Sequence, residues 1–317
     1  MDQSVVAGLQ GLAQLPVTRV RLHYRARAAF RTPPFAGSCW RGALGHVLRA
    51  AVCETRLPDC DACPRRDVCL YPELFAPESD AGITAGQSRG VPPYVLRPLP
   101  VAPRLEAGEP WEVDLTLLGR MGARWRLLAG SLVEAGRRGI GGHRGQLDCE
   151  RVVQEDPPGS ERWHVPSVDG APAPLPPPPP LTTECLSIHF ETPLRLKARG
   201  NLVRPRTVRP ADLLVALVRR ASLLHAHYGA GEPALDYARL KVAAEAFHWQ
   251  SPRLQWLDQH RHSSRQGQSM PFGGIVGETS IVGPGLDAWW PLLWMGQWIG
   301  VGKGVTMGLG SYRVGIA

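Results

Sequence analysis

Two tandem ferredoxin-like (RRM-like) domains of the α+β class are what the sequence predicts, and three observations predict them. The chain has 317 residues, enough for two separate cores. Near its middle, "GAPAPLPPPPPL" (170–181) holds five consecutive prolines and breaks the hydrophobic periodicity, as a semi-rigid polyproline spacer would. On either side the order of elements is the same: a strand, a loop, an amphipathic helix and further strands. The expected division is a first domain over 1–153, a linker over 154–182 and a second domain over 183–317.

In the first half, "LPVTRVRLHYRARAAF" sets Val17, Val20, Leu22 and Tyr24 against Arg19, Arg21, His23 and Arg25, which reads as a strand with one wet, basic face. Pro and Gly in "RTPPFAGS" end it. Trp40, Leu44, Val47, Leu48 and Val52 then recur at helical spacing, with Ser38 where an N-cap belongs. "WEVDLTLLG" and "RWRLLAGSLVEAG" repeat the order of strand then helix. In the second half, "CLSIHFETPLRLK" alternates like a strand and "PADLLVALVRRASLLHAHYG" is an amphipathic helix closed by Gly229. "FHWQ", "GGIVGETSIVG" and "SYRVGI" supply later strands. Trp289, Trp290, Trp294 and Trp298 form a helical stripe that suits packing better than base stacking.

The charge balance points outward. Lys and Arg number 36 against 28 Asp and Glu, a formal +8, and arginine dominates the cations. An arginine-rich basic chain favours an anionic partner, because the guanidinium fork binds phosphate in two-pronged fashion and stacks on bases. No apolar run reaches membrane-spanning length and the N-terminus lacks a signal-peptide pattern, so a cytoplasmic protein without a membrane partner is expected.

In such a reducing compartment, clustered cysteines read as metal chemistry before disulfides. Cys53, Cys60, Cys63 and Cys69 follow C-x6-C-x2-C-x5-C, a spacing that can converge on one tetrahedral metal. A structural zinc, or alternatively an iron–sulfur cluster, would then clamp an insertion at about 53–75. His225 and His227 sit at i and i+2 on a helix and point apart, which excludes a metal pair.

Near the end, "GVGKGVTMGLGSY" places glycines at 300, 302, 304, 308 and 310 around Lys303. Bare backbone of this kind can form an anion-binding nest, with Lys303 adding a point charge. A flexible glycine-rich hairpin is the alternative. The order of neither a Walker motif nor G-x-G-x-x-G is present.

This stretch, with "RHSSRQGQSMPFGGIVGETSIVG" before it, resembles the C-terminal signature of the CRISPR-associated repeat-processing endoribonucleases, the sixth Cas family of the RAMP superfamily. Arg261, Ser263, Arg265, Gln266, Gly273, Gly274, Gly277, Gly302, Lys303, Gly308, Gly310 and Tyr312 carry it. "FETPLRLKARGNLVRP", "RRASLLHAHYG", "FAGSCWRGALGHVLR" and "CDACPRRDVCLYPELF" extend it over most of the chain. The resemblance implies tandem ferredoxin-like domains that bind a CRISPR repeat hairpin and cut it once without a metal. The implied chemistry is attack of a ribose 2′-hydroxyl on the adjacent phosphate, leaving a 2′,3′-cyclic phosphate. That needs a base, an acid and a cation on the phosphorane. In addition, the sequence shows no acidic constellation suited to a two-metal nuclease.

Histidine suits the acid and base roles near neutral pH. His46, in "RGALGHVLR" beside the small Gly42 and Ala43, is the first candidate, and a structural helix histidine is its alternative. His23 on the first strand is the second candidate. Arg41 and Arg49 flank His46 and can neutralise the scissile phosphate or bind RNA. Many relatives carry a histidine just before the final "vGK", where this chain has Gly300. That departure implies a different hold on the RNA, or a slow or single-turnover nuclease. Some relatives lack a histidine altogether and rely on arginines, so a mechanism through Arg21, Arg25 and Arg41 is a further alternative.

For RNA contact the expected residues are Arg199, Arg204, Arg206 and Arg209 on a loop with no compensating acid, Arg261, Arg265 and Gln266, and the loop residues Gly302, Lys303, Gly304, Gly308 and Gly310. Three functions compete: the endoribonuclease, which would stay on its product with other CRISPR effector subunits; a non-catalytic RAMP subunit that caps a guide RNA; and a zinc-stabilised binding module. The last leaves the glycine loop and the charge unexplained.

Overall fold

The computed structural model describes residues 3–78, 90–166, 172–198, 200–231, 234–263 and 268–316. Its first half contains α1 (Gln3–Leu12), β1 (Pro16–Ala26), α2 (Ala36–Val52), α3 (Leu70–Phe75), β2 (Tyr94–Pro98), β3 (Pro110–Leu118), α4 (Trp125–Arg138) and β4 (Leu147–Glu155). The sheet order is β2-β3-β1-β4, with every neighbouring pair antiparallel. That is the order of a ferredoxin-like β-α-β-β-α-β unit, whose two helices cover one face.

Period-two alternation decides which side chains meet those helices. Leu22 and Tyr24 turn inward, and Trp40 of α2 wedges between Tyr24 and Trp111 at ring separations of 5.0 and 5.6 Å. All three rings are fully buried. Arg19, Arg21 and His23 therefore point to the opposite face of the sheet.

That face is not the wet basic surface expected from β1 alone. Asp114 on β3 takes Arg19 at 2.6 Å and Arg21 at 2.6 Å, and Glu155 on β4 faces Arg19 at 3.5 Å. Trp163 covers both guanidinium groups, at 5.0 and 4.4 Å. Burial by itself would raise the Asp114 pKa, but the bonds from Arg21 and the charge of Arg19 outweigh it and hold the carboxyl below its ordinary value.

The second half repeats the plan with β5 (Cys185–Leu194), α5 (Pro210–Tyr228), α6 (Tyr237–Ala244), β6 (His248–Leu257), β7 (Gly274–Val282), α7 (Leu286–Ile299) and β8 (Tyr312–Ile316). The sheet order is β6-β7-β5-β8, again antiparallel throughout. Leu186, Ile188 and Phe190 of β5 are buried while Ser187, His189 and Glu191 are exposed, the alternation of a half-covered strand. α5 starts on Pro210, with the Asp212 carboxylate accepting from the Arg209 N–H at 2.9 Å.

The two halves are packed together. α1 precedes the first domain but lies against α5 and α7 of the second, and Leu12 O meets His225 Nε2 at 2.9 Å. Arg97 of β2 bonds Glu191 of β5 at 2.7 Å, and Arg313 bonds Glu191 and Glu161, each at 3.2 Å.

Three local expectations change. The helix begins at Ala36 with Phe35 at its N-cap, so Ser38 lies inside it. β2 was not legible as a strand. The linker is more than a spacer: Ala173–Pro174 pairs with Pro16 and Val17 of β1. Beyond it, Leu175 is buried, Pro178 and Leu181 are half-buried, and the residues between them are exposed. That period of three is the one a polyproline II helix shows when it lies on a surface. The surface is the tryptophan stripe of α7, where Trp290 Nε1 donates to Pro179 O at 2.8 Å and Trp298 lies beside Leu175 and Gly159.

Candidate nucleic-acid interface

The glycine-rich loop leaves α7 at Gly300 and returns into β8. Its glycines 300, 302, 304, 308 and 310 all hold positive φ, at 66, 85, 84, 80 and 68°, backbone that L side chains rarely adopt. The loop is tied down: Lys303 N–H donates to Arg195 O at 2.9 Å and Gly310 N–H to Pro193 O at 3.1 Å. Arg220 of α5, buried, donates its Nε to Ile299 O at 2.7 Å, closing the C-terminus of α7 where the loop starts. Burial lowers that guanidinium to about 10.

The loop has two halves of different use. Gly308 and Gly310 are buried. A Cβ at Gly308 would lie 3.0 Å from Leu96 O, and one at Gly310 would collide with Val301 O. Gly302 does the same, since a Cβ there would lie 2.6 Å from Arg195 O; these three glycines make room for protein backbone, which corrects the expectation that all five line one ligand-facing edge. The turn Val305–Met307, between Gly304 and Gly308, packs on β2 and on α2, where Gly37 meets the carbonyl of Met307. Gly302 and Gly304 are half-buried and Lys303 is exposed. This half carries the accessible charge.

Around Lys303 the structure gathers cations and rings. Lys197 and Arg195 are its charged neighbours, and burial followed by their positive charge lowers the ammonium pKa. Arg195 lies 4.6 Å above the Phe272 ring and donates to Gly273 O. Burial, then the charge of Arg204, lowers its guanidinium too. Arg204 in turn stacks 3.8 Å above Trp256, and Phe35 of the first domain reaches Phe272 at 5.3 Å. Arg195, Lys197, Trp256 and Phe272 were not singled out from the sequence, because only the tertiary fold brings 195–204, 256–272 and 303 together.

The candidate catalytic residues are dispersed. His46 is exposed on α2, and Gly42 one turn earlier leaves open space. Nine residues separate it from Gly37 at the loop contact, about 13 Å along the helix axis. His23 lies on the far face of the sheet from α2, with Nδ1 2.9 Å from Glu112. Burial is the largest influence on that imidazole, and with Arg151 and Arg21 it outweighs Glu112 and lowers its pKa. The two histidines cannot flank one phosphate.

Arg41 is half-buried above Phe75, at 5.1 Å. Arg49 lies 5.6 Å over Tyr71 and donates to Leu57 O and to Pro58 O, so it braces the cysteine loop rather than a ligand. Arg21 is held by Asp114 and Arg25 by Glu150 at 3.1 Å.

Of the expected RNA contacts, Arg204 and Arg206 are exposed. Arg209 is compensated after all, by Asp212 at 3.0 Å and Glu245 at 2.8 Å. Arg199, Arg265, Gln266 and the Arg261 side chain lie outside the described residues.

Cys53, Cys60, Cys63 and Cys69 line one pocket at the end of α2. Burial raises the Cys60 thiol pKa, and Arg49, Cys69, Cys53 and Cys63 all act on its charge. The donor chemistry fits a thiolate metal. The expected convergence does not appear, since among the described residues no three His, Cys, Asp or Glu side chains form a metal-holding group. No described helix is long and apolar enough to cross a membrane.

Comparison with known proteins agrees with this architecture. Residues 15–171 match an N-terminal domain family model, and residues 188–312 match the model of the CRISPR-associated endoribonuclease Cas6. An uncharacterized protein of Archaeoglobus fulgidus is 25% identical over 327 residues, covering 95% of this chain and 98% of its own. A Thermus thermophilus Cas6 product complex superposes with a TM-score of 0.56 at 16% identity, covering 94% of this chain and 99% of that one. A partial Cas6-RT-Cas1–Cas2 complex gives a TM-score of 0.59 at 13% identity, covering 96% of this chain and 46% of that one. Residues 188–312 thus match the model of the CRISPR-associated endoribonuclease Cas6, and the duplicated ferredoxin-like fold of the whole chain is the one seen in Cas6 structures.

Proposed function

We propose that this protein is an endoribonuclease that binds a CRISPR repeat hairpin and cleaves precursor CRISPR RNA without a catalytic metal, staying on the mature RNA afterwards. The observation that carries RNA binding is the group of Arg195, Lys197, Arg204 and Lys303 at the open half of the glycine-rich loop, where the strongest influences on Lys303 and Arg195 besides burial are other cations. Such a surface gains free energy by releasing counterions from a phosphate backbone. His46 is the proposed base or acid for the attack of a ribose 2′-hydroxyl on its phosphate. The phosphate bond to the 5′-oxygen breaks as the 2′-oxygen bond forms, leaving a 2′,3′-cyclic phosphate and a 5′-hydroxyl. A neighbouring cation would steady the phosphorane.

Cleavage of a hairpin repeat RNA in excess EDTA, with mass analysis of the 3′ ends, tests this. A single cut ending in a cyclic phosphate supports it, and cleavage that needs a divalent ion overturns it. A second reading, a non-catalytic subunit that caps a guide RNA, is favoured by one observation: His23 and His46 face opposite sides of the sheet, so these two do not form an acid–base pair. Tight binding without any cut would select it. Other CRISPR subunits are the expected partners in either case, as the Cas6-RT-Cas1–Cas2 neighbour suggests. The four cysteines are proposed to hold a zinc ion, or an iron–sulfur cluster, that would fix the 53–69 loop and take no part in cleavage.

A further inference from the structure

We propose that Arg204 on Trp256 and Arg195 on Phe272 form a stacking platform for unpaired nucleotides of the RNA, with Lys197 and Lys303 receiving the phosphates between them. The inference rests on the RNA-binding reading above and goes further by naming the nucleotide state the site takes.

The geometry carries it. At 3.8 Å above the Trp256 ring, the Arg204 guanidinium lies in van der Waals contact with one indole face, and it is exposed. Its outer face is a flat, cationic surface of the kind on which bases stack. Trp256 is fixed in turn: its Nε1 donates to Asp258 at 2.8 Å. It stands half-buried on β6, the edge strand of the second sheet. Arg195 repeats the arrangement on Phe272, which is wedged against Phe35 of the other domain and lies beneath Gly304 of the loop. Two arginine-backed rings from different segments thus meet beside two lysines.

A surface meant for duplex backbone alone needs cations and no rings, because an A-form helix keeps its base faces stacked on one another. Rings backed by arginine become useful when bases are splayed out, and such stacking tolerates any base because each has a π face. The platform is therefore assigned to the single-stranded flank of a repeat rather than to its stem.

The test compares a short unstructured RNA oligonucleotide with the same oligonucleotide carrying abasic sites, by fluorescence anisotropy on the full chain. Stacking predicts that each lost base weakens binding about tenfold in the wild type. Trp256→Leu should lose the share of that preference carried by the Arg204 stack and keep the share of Arg195 on Phe272. Arg204→Lys should keep the salt dependence and lose the same share. Equal wild-type affinity for intact and abasic RNA would overturn the platform, and needs no variant. If a repeat hairpin still binds tightly in that case, RNA binding stands and only the platform fails. If neither hairpin nor oligonucleotide binds, the RNA-binding reading itself has failed.

Discussion

Gly37, in the first turn of α2, sits against the carbonyl oxygen of Met307 so closely that no β-carbon fits between them. The helix that carries His46 and the glycine-rich loop that carries Lys303 belong to different domains, and this contact joins them. Gly37→Ala must push the Val305–Met307 turn away from α2. The expected cost is about 1–3 kcal/mol, typical of overpacking at a rigid backbone contact. A thermal melt reads it. A variant melting like the wild type would show that the junction gives way freely.

His46→Ala should lower the cleavage rate by about a hundredfold to ten-thousandfold, the usual worth of a general acid or base, at unchanged RNA affinity. His23→Ala should leave the rate alone, because that imidazole is bonded to Glu112 on the other face of the sheet. Single-turnover kinetics separate the two. The reverse pattern would exchange their roles.

Removing a phosphate contact should change the salt dependence of binding rather than its sequence preference. Lys303→Ala and Lys197→Ala are each expected to reduce the slope of log K against log salt by about 0.7 to 0.9. Arg209→Ala, whose charge is already balanced by Asp212 and Glu245, should leave the slope near the wild-type value. Titrations at several salt concentrations decide.

Acid should loosen the fold in two stages. Burial depresses His225, which is neutral against Leu12 O at the junction of α1 and α5. A base with a depressed folded pKa gives stability that is complete above its ordinary 6.5 and declines as pH falls below it. Asp114 is a depressed acid, so its contribution is complete above 3.8 and is lost as pH falls toward the folded value. Urea unfolding across this range should show the first decline flattened in His225→Gln and the second in Asp114→Asn. Flat stability from neutral pH down to about 5 would contradict the first assignment.

Purified protein should contain about one zinc per chain, or iron and sulfide in cluster proportion, if the four cysteines act together. Cys60→Ser should abolish it and lower the melting temperature without changing the chemistry of the cut. Freely titrating thiols in metal-free, fully stable protein would count against the site.

How far the sequence could be read depended on whether a residue's partner was near it in the chain. The alternation of Leu186, Ile188 and Phe190 and the helical spacing of Trp40, Leu44 and Leu48 are local signals, and the strands and helices they implied are present. β2 was missed because "PPYVLRPLP" is framed by prolines, and part of its burial comes from the glycine-rich loop more than two hundred residues later. The basic face of β1 was misread for the same reason: Asp114 and Glu155, which neutralise it, lie 95 and 136 residues from Arg19. Lys303 stood out as the cation among the loop glycines and Arg204 as one of several arginines on a loop with no compensating acid, whereas the rings that orient Arg195 and Arg204 could not be foreseen. The glycines of the final loop were recognisable as special, but the sequence does not distinguish a glycine that admits a ligand from one that admits a neighbouring carbonyl.

The proline segment that crosses α7 also determines how the molecule can respond to its ligand. Trp290 grips Pro179 and Leu175 is buried, so the described residues 172–181 are held on α7 of the second domain while Ala173–Pro174 pairs with β1 of the first. One segment thus bonds to both domains at once. On the RNA-binding reading proposed above, a strap fixed to both domains opposes their separation, so that accommodation would fall to the RNA.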